Sequence, residues 1–503
     1  MKKILILVAT LVVCLNFLFS CSSSHSSKDT DILPYSDFDD IETTYDDSDS
    51  QSSEIVDDYG DQDSEIVDDS DEMSDADTDY DTEEDFDDEE EEDEEIDDTD
   101  RINGYKRCYD EIPDEPYEGL FASSKLESQI KQDLGYDKDH ELTEEDLEKI
   151  TEIKLSVKDI RGVEKLVNLE SVTISTGKIY DYTPLSNLEK LKKLKINATS
   201  MTCLDGSFSF LTNLETLEIE ETKLKDVSPI EKLVNLKTFE LCENYQIEFL
   251  PKHLGDLQKL EYLALSYNSI KNVKPVRSLT NLKNLYFHYN NVEDISPIKD
   301  LVNLIEFGAQ GNQIKDISAV TKLVNLTWLG LNQNQIEAIP KDFVNLKKLQ
   351  TCELNYNNIS NLPDLKGLDS LDDMRLVGNN LNDEDFVKLD GLAHVKFLAI
   401  ALNNITKVPI MKNLKSLQEL YLNYNSITDL SGFADNDSFP ALKSVYLGSN
   451  KIENAEALRK RKGLNRLSIG KNCITDLSPL EELKERGTYI SGMNEQLENC
   501  GDK

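Results

Sequence analysis

Three consecutive stretches decide the fold: LTNLKNLYFHYNNVEDISPIKD (residues 279–300), LVNLIEFGAQGNQIKDISAVTK (301–322) and LVNLTWLGLNQNQIEAIPKDFVN (323–345). Aligned, they obey one rule. Leu is followed by two variable positions, Leu, two variable, apolar, one variable, apolar, two variable, Asn, one variable and apolar. Working outward, the Asn recurs at Asn244, Asn268, Asn290, Asn312, Asn334, Asn357, Asn379, Asn403, Asn425, Asn450 and Asn472. Upstream the Leu frame continues, with Lys158, Gly177, Thr199 and Thr222 in the Asn slot. About fifteen units result.

A fixed period of roughly 20–29 residues with this consensus is a leucine-rich repeat, one short strand and one return per unit. The fold class expected is α/β: a horseshoe-shaped solenoid with a parallel concave sheet, a helical N-terminal cap and short 3-10 turns on the convex side. A single unit cannot bury enough apolar surface to offset the entropy of ordering its backbone, so the repeats stand as an array. The Asn amide both donates and accepts, which suits it to backbone groups that the turn after each strand buries. The returns carry Asp226-Val227-Ser228-Pro229-Ile230, Asp294-Ile295-Ser296-Pro297-Ile298 and Asp476-Leu477-Ser478-Pro479-Leu480. Pro fixes φ and suits a tight turn or a short 3-10 piece.

The repeats are assigned to residues 150–475, preceded by a helical cap at 105–149 and followed by a C-terminal cap and tail at 476–503. Ser124-Lys125-Leu126-Glu127 reads as a capping box, with Leu126, Ile130 and Leu134 on one helix face and Gly135 as the stop. Thr143-Glu144-Glu145-Asp146 reads as a second box, with Leu142 and Leu147 as its hydrophobic staple. After Ile474 the pattern stops. A short helix is expected from Leu480 to Lys484, then an edge strand Gly487-Thr488-Tyr489-Ile490-Ser491 that closes the stack.

Residues 1–20 have the form of a secretory signal: Lys2 and Lys3, then a 16-residue apolar run at 4–19, short for a membrane span. The run ends in Leu18-Phe19-Ser20-Cys21, which resembles the lipobox of bacterial lipoproteins, though Phe19 is larger than that family's usual residue. The resemblance implies a lipid on Cys21 and attachment to a bacterial membrane. The alternative is an ordinary signal cut nearby with Cys21 idle. Residues 21–104 form an acidic linker. Between 29 and 100 there is no Lys or Arg, and there are 38 Asp plus Glu. Such a segment cannot bury a core and is expected to be disordered. It accounts for most of the net charge of −46. A weak Ca²⁺-binding role is the other reading, but no EF-hand spacing is present.

The repeats resemble those of internalin-type leucine-rich repeat surface proteins of bacteria, and also the 22-residue repeats of the eukaryotic phosphatase-1 regulatory subunit. The resemblance spans about residues 142–491. It implies a cell-surface protein that binds a protein ligand, often a host receptor, on its concave face; the chain is expected to be monomeric. No sorting motif or immunoglobulin-like domain is found after the repeats, so attachment is expected through Cys21 instead.

Little in the chain points to catalysis. No CxxC occurs, and the five His form no metal spacing. P-loop, GxSxG and HExxH are missing, and the acidic balance argues against nucleic-acid binding. No enzyme, cofactor or metal is expected. Cys352 falls on an inward Leu slot and reads as a small core residue, while Cys473 and Cys500 bracket the C-terminal cap and could pair. The informative positions are those alternating with the inward ones along each strand. They carry an aromatic band, the candidate ligand-binding set: Tyr262, Tyr267, Tyr286, His288, Tyr289, Trp328, Tyr356, Phe397, Tyr421, Tyr424 and Tyr446. Contiguous exposed aromatics mark interaction surfaces, although Tyr also simply favours strands. Glu218, Glu220, Glu221, Glu240 and Glu243 form an acidic patch at the N-terminal end of the band, beyond Lys193 and Lys195. Two rivals to a protein ligand remain. One is a glycan stacked on the rings. The other is a hydrolase using Glu218 and Glu240, disfavoured because nothing on an open face is expected to raise one of their pKa values.

Overall fold

The computed structural model describes residues 116–498 apart from 176–178, 180 and 198–199, together with the backbone of 101–102 and 105–106 and with Cys500. The signal segment, Cys21 and the acidic stretch lie outside the described residues, as do Cys108, Gly177 and Thr199.

The alternation of apolar and variable residues after each Leu-x-x-Leu gives one strand per repeat. Sixteen such strands, from Glu152–Leu155 to Tyr489–Ser491, form one sheet in which every strand lies parallel to its predecessor in the chain. The register keeps equivalent consensus positions side by side, so Leu285, Phe307, Leu329 and Cys352 form one row. That row is fully buried, as are the next inward positions Phe287, Leu331 and Leu354. Cys352 is a free thiol inside it.

The returns are mostly five-residue 3-10 turns, including Ser228–Lys232, Ser296–Asp300 and Ser318–Lys322. The Asp-x-Ser sequence starts each one: Asp226, Asp294 and Asp316 accept the backbone N–H of Ser228, Ser296 and Ser318 at 2.7–2.8 Å. One return departs from the expected short turns. Residues Asp383–Lys388 make an α-helix, capped by Asn382 in a complete capping box with Asp385. Its repeat, Asn379 to Asn403, is longer than its two neighbours, but length alone is not the cause, since the equally long Asn244–Asn268 unit returns through a 3-10 turn, Leu254–Asp256; the Asn382–Asp385 box supplies the helix start.

At the N-terminal end, helix α1 (Ser124–Asp133) is capped by Ser123, which accepts from Leu126 N–H at 3.4 Å. The cap lies one residue before the expected Ser124, and no box forms there. Leu126 occupies the third helical position, and Glu127 instead pairs with Lys131 at 2.8 Å, one turn on. Leu126 and Ile130 are buried, and Gly135 ends the helix at φ +75°. The second box, at helix α2 (Glu144–Leu147), forms as read, with Thr143 and Asp146 bonded reciprocally. Asp146 also takes Lys149, Tyr136 and His140, and the Lys149 ammonium holds its carboxyl well below the usual range. At the other end, a helix Ser478–Glu485 precedes the closing strand, and Cys473 is joined to Cys500 by a disulfide with Cα atoms 5.8 Å apart. Cys203 and Cys242 are disulfide-bonded as well.

The Asn residues tie the units together. Asn312 donates to Ala309 O in its own turn at 3.1 Å and to Phe287 O of the preceding repeat at 3.0 Å, and it accepts Val292 N–H at 3.0 Å. The same three bonds recur at Asn290, Asn334, Asn357, Asn379, Asn403, Asn425, Asn450 and Asn472. Asn268 is an exception, because its Oδ1 is buried without a hydrogen-bond partner. Replacing these two residues should therefore cost different amounts. Asn312→Ala strands a buried N–H as well as carbonyls and should lower unfolding free energy by about 2–3 kcal/mol. Asn268→Ala loses no acceptor in use and should cost about 1 kcal/mol less, as read by urea denaturation of the two variants.

Candidate ligand-binding face

On each strand the inward positions alternate with positions on the open face of the sheet. Three open-face columns result. Tyr262, Glu306, Trp328 and Phe397 lie in the first. Glu240, Tyr286, Gly308, Gly330, Glu353, Arg375, Tyr421 and Tyr446 lie in the second, and His288 and Asn332 in the third. The alternation thus holds for seven of the eleven band residues. The other four, Tyr267, Tyr289, Tyr356 and Tyr424, were expected on the strands and instead occupy the position just before the ladder Asn. There the backbone turns left-handed, at φ 59°, 52°, 54° and 56°. Alternation stops at this left-handed residue although the ladder to the next repeat runs on: Tyr289 N–H donates to Gln310 O at 2.7 Å, and Tyr267 N–H to His288 O at 2.8 Å. These four rings line one border of the face as an interrupted ridge, with Gly311, Gln333, Gly378 and Leu402 in the same slot between them. Tyr267 stacks on Tyr289 at 4.8 Å between centroids. Tyr289 and Tyr356 each lie across the glycine of the next repeat, Gly311 and Gly378, where a Cβ would meet the ring at 2.5 and 2.6 Å.

The band is neither continuous nor freely exposed. A first cluster joins Tyr262, Tyr286, His288 and Trp328, with centroids 5.7–6.4 Å apart, all half-buried. Its floor is Gly308 and Gly330: His288 lies over the first, and the indole of Trp328 folds over both. Glu306 accepts the Tyr286 hydroxyl proton, and Gln310 N–H donates to His288 Nδ1 at 3.1 Å. Burial pushes the imidazole down to about 4, so His288 is neutral near pH 7. A second cluster stacks Phe397, Tyr421 and Tyr446 at 5.0 and 4.1 Å. Here the expected exposure fails, because Tyr421 and Tyr446 are each only 7% exposed. They cover one another face to face, and Arg466 donates to the Tyr446 hydroxyl at 3.4 Å. Polar residues separate the clusters. Arg375 forms a fork on Asp373 at 2.8–3.2 Å, reaches Glu353 at 3.5 Å and lies 5.2 Å from the Phe397 ring. Glu353 accepts from Asn332 at 2.9 Å and from the Trp328 indole. Aromatic character does not single out Glu306, Asn332, Glu353 and Arg375, although the same alternation places them on this face.

The acidic patch is real and internally uneven. Lys193 and Lys195 hold the two oxygens of Glu218 at 2.7 and 2.9 Å, and Lys195 also reaches Glu220 at 3.1 Å. Burial works to raise Glu218, but the two lysines leave it lowered. Glu240, next to Glu218 in the sheet, has no such cation. Burial, with Glu218 and Glu220 beside it, pushes its carboxyl up to about 7. This overturns the expectation that an open face would leave these acids unshifted. Glu243 is raised too, by burial and then by Glu221 and Glu220. On the flank of the solenoid, by contrast, a shallow groove is lined by lysines that are already paired: Lys237 with Glu215 and Lys283 with Glu261 at 2.7 Å, Lys348 with Asn325 at 2.7 Å.

A family model described as leucine-rich repeats (2 copies) matches residues 258–300 and 415–460, and one described as leucine-rich repeat matches 324–381. No curated protein matches the chain. Among solved structures, the chain is similar to the internalin InlF of Listeria monocytogenes, at 26% identity over 74% of this chain and 95% of that one, with a TM-score of 0.48. The functional domain of InlJ from the same organism is 21% identical over 71% and 82% of the two chains, with a TM-score of 0.55. The plant peptide hormone receptor RGFR1, in complex with RGF2, is 19% identical over 69% and 65%, with a TM-score of 0.54.

Two measurements check the face. Leu329→Ala opens a cavity in the shared core and should cost about 2–5 kcal/mol of stability, whereas Trp328→Ala on the adjacent open-face slot should cost about 1–2 kcal/mol. Equal losses in thermal melts would mean that the two slots are inverted. Glu240 gives a pH signature. Its folded pKa lies above its unfolded value of 4.5, so the folded chain binds the extra proton between those values and loses stability as pH rises from 4.5 to 7. Glu240→Gln should raise Tm at pH 8 and leave it nearly unchanged at pH 4.

Proposed function

We propose that this leucine-rich repeat protein is a cell-surface, lipid-anchored binding protein whose open sheet face, the side that the repeat architecture makes concave, takes a protein ligand. Leucine-rich repeat proteins are typically interaction scaffolds rather than enzymes. The observation that carries the reading is the first aromatic cluster. Tyr262, Tyr286, His288 and Trp328 converge over two glycines, half-buried and half-presented, with polar groups around them. Aromatic anchors ringed by polar residues are the usual centre of a protein interface. The receptor RGFR1, of related fold, holds RGF2 in its complex. In this reading Cys21 carries the lipid, the acidic stretch 21–104 spaces the repeats from the membrane, and the partner is met in adhesion or host interaction. No helix of the described residues is long and apolar enough to cross a membrane.

The same rings could stack on a sugar, and a glycan array decides between the two ligand classes. A hydrolase is the weaker alternative. Glu218 and Glu240 do have protonation behaviour pushed apart, as an acid–base pair requires. Yet lysine ammoniums hold both oxygens of Glu218, which weakens it as a base or nucleophile.

The test is affinity capture of surface proteins on the full chain, followed by binding isotherms. Trp328→Ala should weaken a captured partner by about 30-fold or more. Unchanged affinity in both Trp328→Ala and Tyr286→Ala overturns the assignment of the face. Separately, Cys21→Ser should move the protein from the membrane fraction to the medium, and retention in the detergent phase would refute the lipid anchor.

A further inference from the structure

Resting on that reading of the face, we infer that Glu240, with Glu220 beside it and the rings of Tyr262 and Tyr286 next in the sheet, is the seat for a cationic side chain, arginine or lysine, of the protein partner. The charges at this end of the face do not balance. Glu218, Glu220 and Glu240 stand against two ammoniums, Lys193 and Lys195, and both are used on Glu218 and Glu220. Two carboxylate oxygens are left without a hydrogen bond, Glu220 Oε1 and Glu240 Oε2, and both atoms are buried. Glu220 as a whole is only 6% exposed, with its other oxygen held by Asn197 at 3.0 Å and by Lys195. A buried carboxylate oxygen without a donor is costly, so a group that supplies donors and positive charge gains more here than on an ordinary surface.

The surroundings favour a cation over other donors. The titratable groups around Glu240 are Glu218 and Glu220 on the preceding strand, Lys193 and Lys195 one strand further, Tyr262 on the following strand, and Glu243 just past its own strand's end. The lysines are spent, and the remaining charge is negative. Tyr262 and Tyr286, 5.7 Å apart, continue from Glu240 into the aromatic cluster and offer ring faces to a guanidinium or ammonium. Arginine suits the site best, since its planar fork can serve two carboxylates at once. The seat adjoins the proposed anchor cluster, so one partner segment could fill both. Its occupancy is linked to pH: the proton that Glu240 holds below about 7 must leave before the cation binds, so binding strengthens as pH rises to 8.

The experiment uses the full chain and hexa-arginine as probe, read by thermal shift. The acidic stretch at 29–100 also attracts this peptide. That stretch is identical in the natural chain and in Glu240→Gln, so the difference between their Tm shifts reports Glu240. At pH 8 and about 0.15 M salt, hexa-arginine should raise the Tm of the natural chain by a few degrees. Hexa-glutamate should not. Glu240→Gln, which keeps the shape and should fold at least as well, should remove the shift, and Tyr262→Leu should reduce it. At pH 5.5 the natural chain should behave like Glu240→Gln. No shift at pH 8, or an equal shift in Glu240→Gln, overturns the inference. A captured partner that needs Trp328 but ignores Glu240→Gln overturns the cation seat and leaves the binding face standing. A shift that Glu240→Gln abolishes, with capture indifferent to Trp328, supports the seat and refutes the aromatic face.

Discussion

Every repeat buries the backbone of the turn that follows its strand, and those groups must find partners inside the stack. This constraint shapes the rest of the molecule. The ladder Asn meets it with one side chain that serves two repeats at once, donating into its own turn and the previous one and accepting a previous N–H. Because the bonds cross between units, no unit is complete alone. The helix pair before Glu152–Leu155 and the helix and strand after the last repeat then become necessary, since an open end would expose both apolar rows and strand edges.

The same turn sets what the open face can display. It forces the residue before the Asn into a left-handed backbone, a conformation that β-branched and bulky residues normally avoid. Here Tyr, Glu, Gln, Leu, Ser and Lys all adopt it, each with its N–H bonded to a carbonyl of the next repeat. The side chain at that position is carried off the strand and laid over its neighbour. Where the neighbour is Gly311 or Gly378, a whole tyrosine ring fits across it. An interrupted ridge of rings therefore borders the face, distinct from the cluster on the strands themselves.

Electrostatically the face is graded along the solenoid. Its first strands carry lysines and glutamates in mutual contact, its middle carries the half-buried aromatic cluster, and the Asp373–Arg375–Glu353 group divides that cluster from the stacked Phe397, Tyr421 and Tyr446. At Glu240 the carboxylates outnumber the lysines, and there the fold tolerates a group that would be more stable neutral. Unfavourable groups retained on an otherwise well-satisfied surface are where function is most often found.

The sequence alone determined the repeat, its period, the inward rows, the ladder Asn and the parallel order of strands. These follow from a local pattern that recurs unchanged, and even Cys352 in a Leu slot could be placed by it. The second capping box and the closing strand were legible for the same reason. Ser123 rather than Ser124 as cap was not, since adjacent serines are distinguished only by which one reaches Leu126 N–H. Tertiary structure decided the rest. Tyr289 reads as one more alternating position until the turn around Asn290, bonded to the preceding repeat, carries it into a left-handed backbone. Tyr421 and Tyr446 read as exposed until their rings, 25 residues apart in the chain, cover each other. Glu240 reads as an ordinary surface acid, and its protonation is set first by its burial in the sheet and then by Glu218 and Glu220 on the neighbouring strand. Each of these outcomes depends on contacts between repeats, and a pattern read within one repeat carries no information about which side chain its neighbour will present.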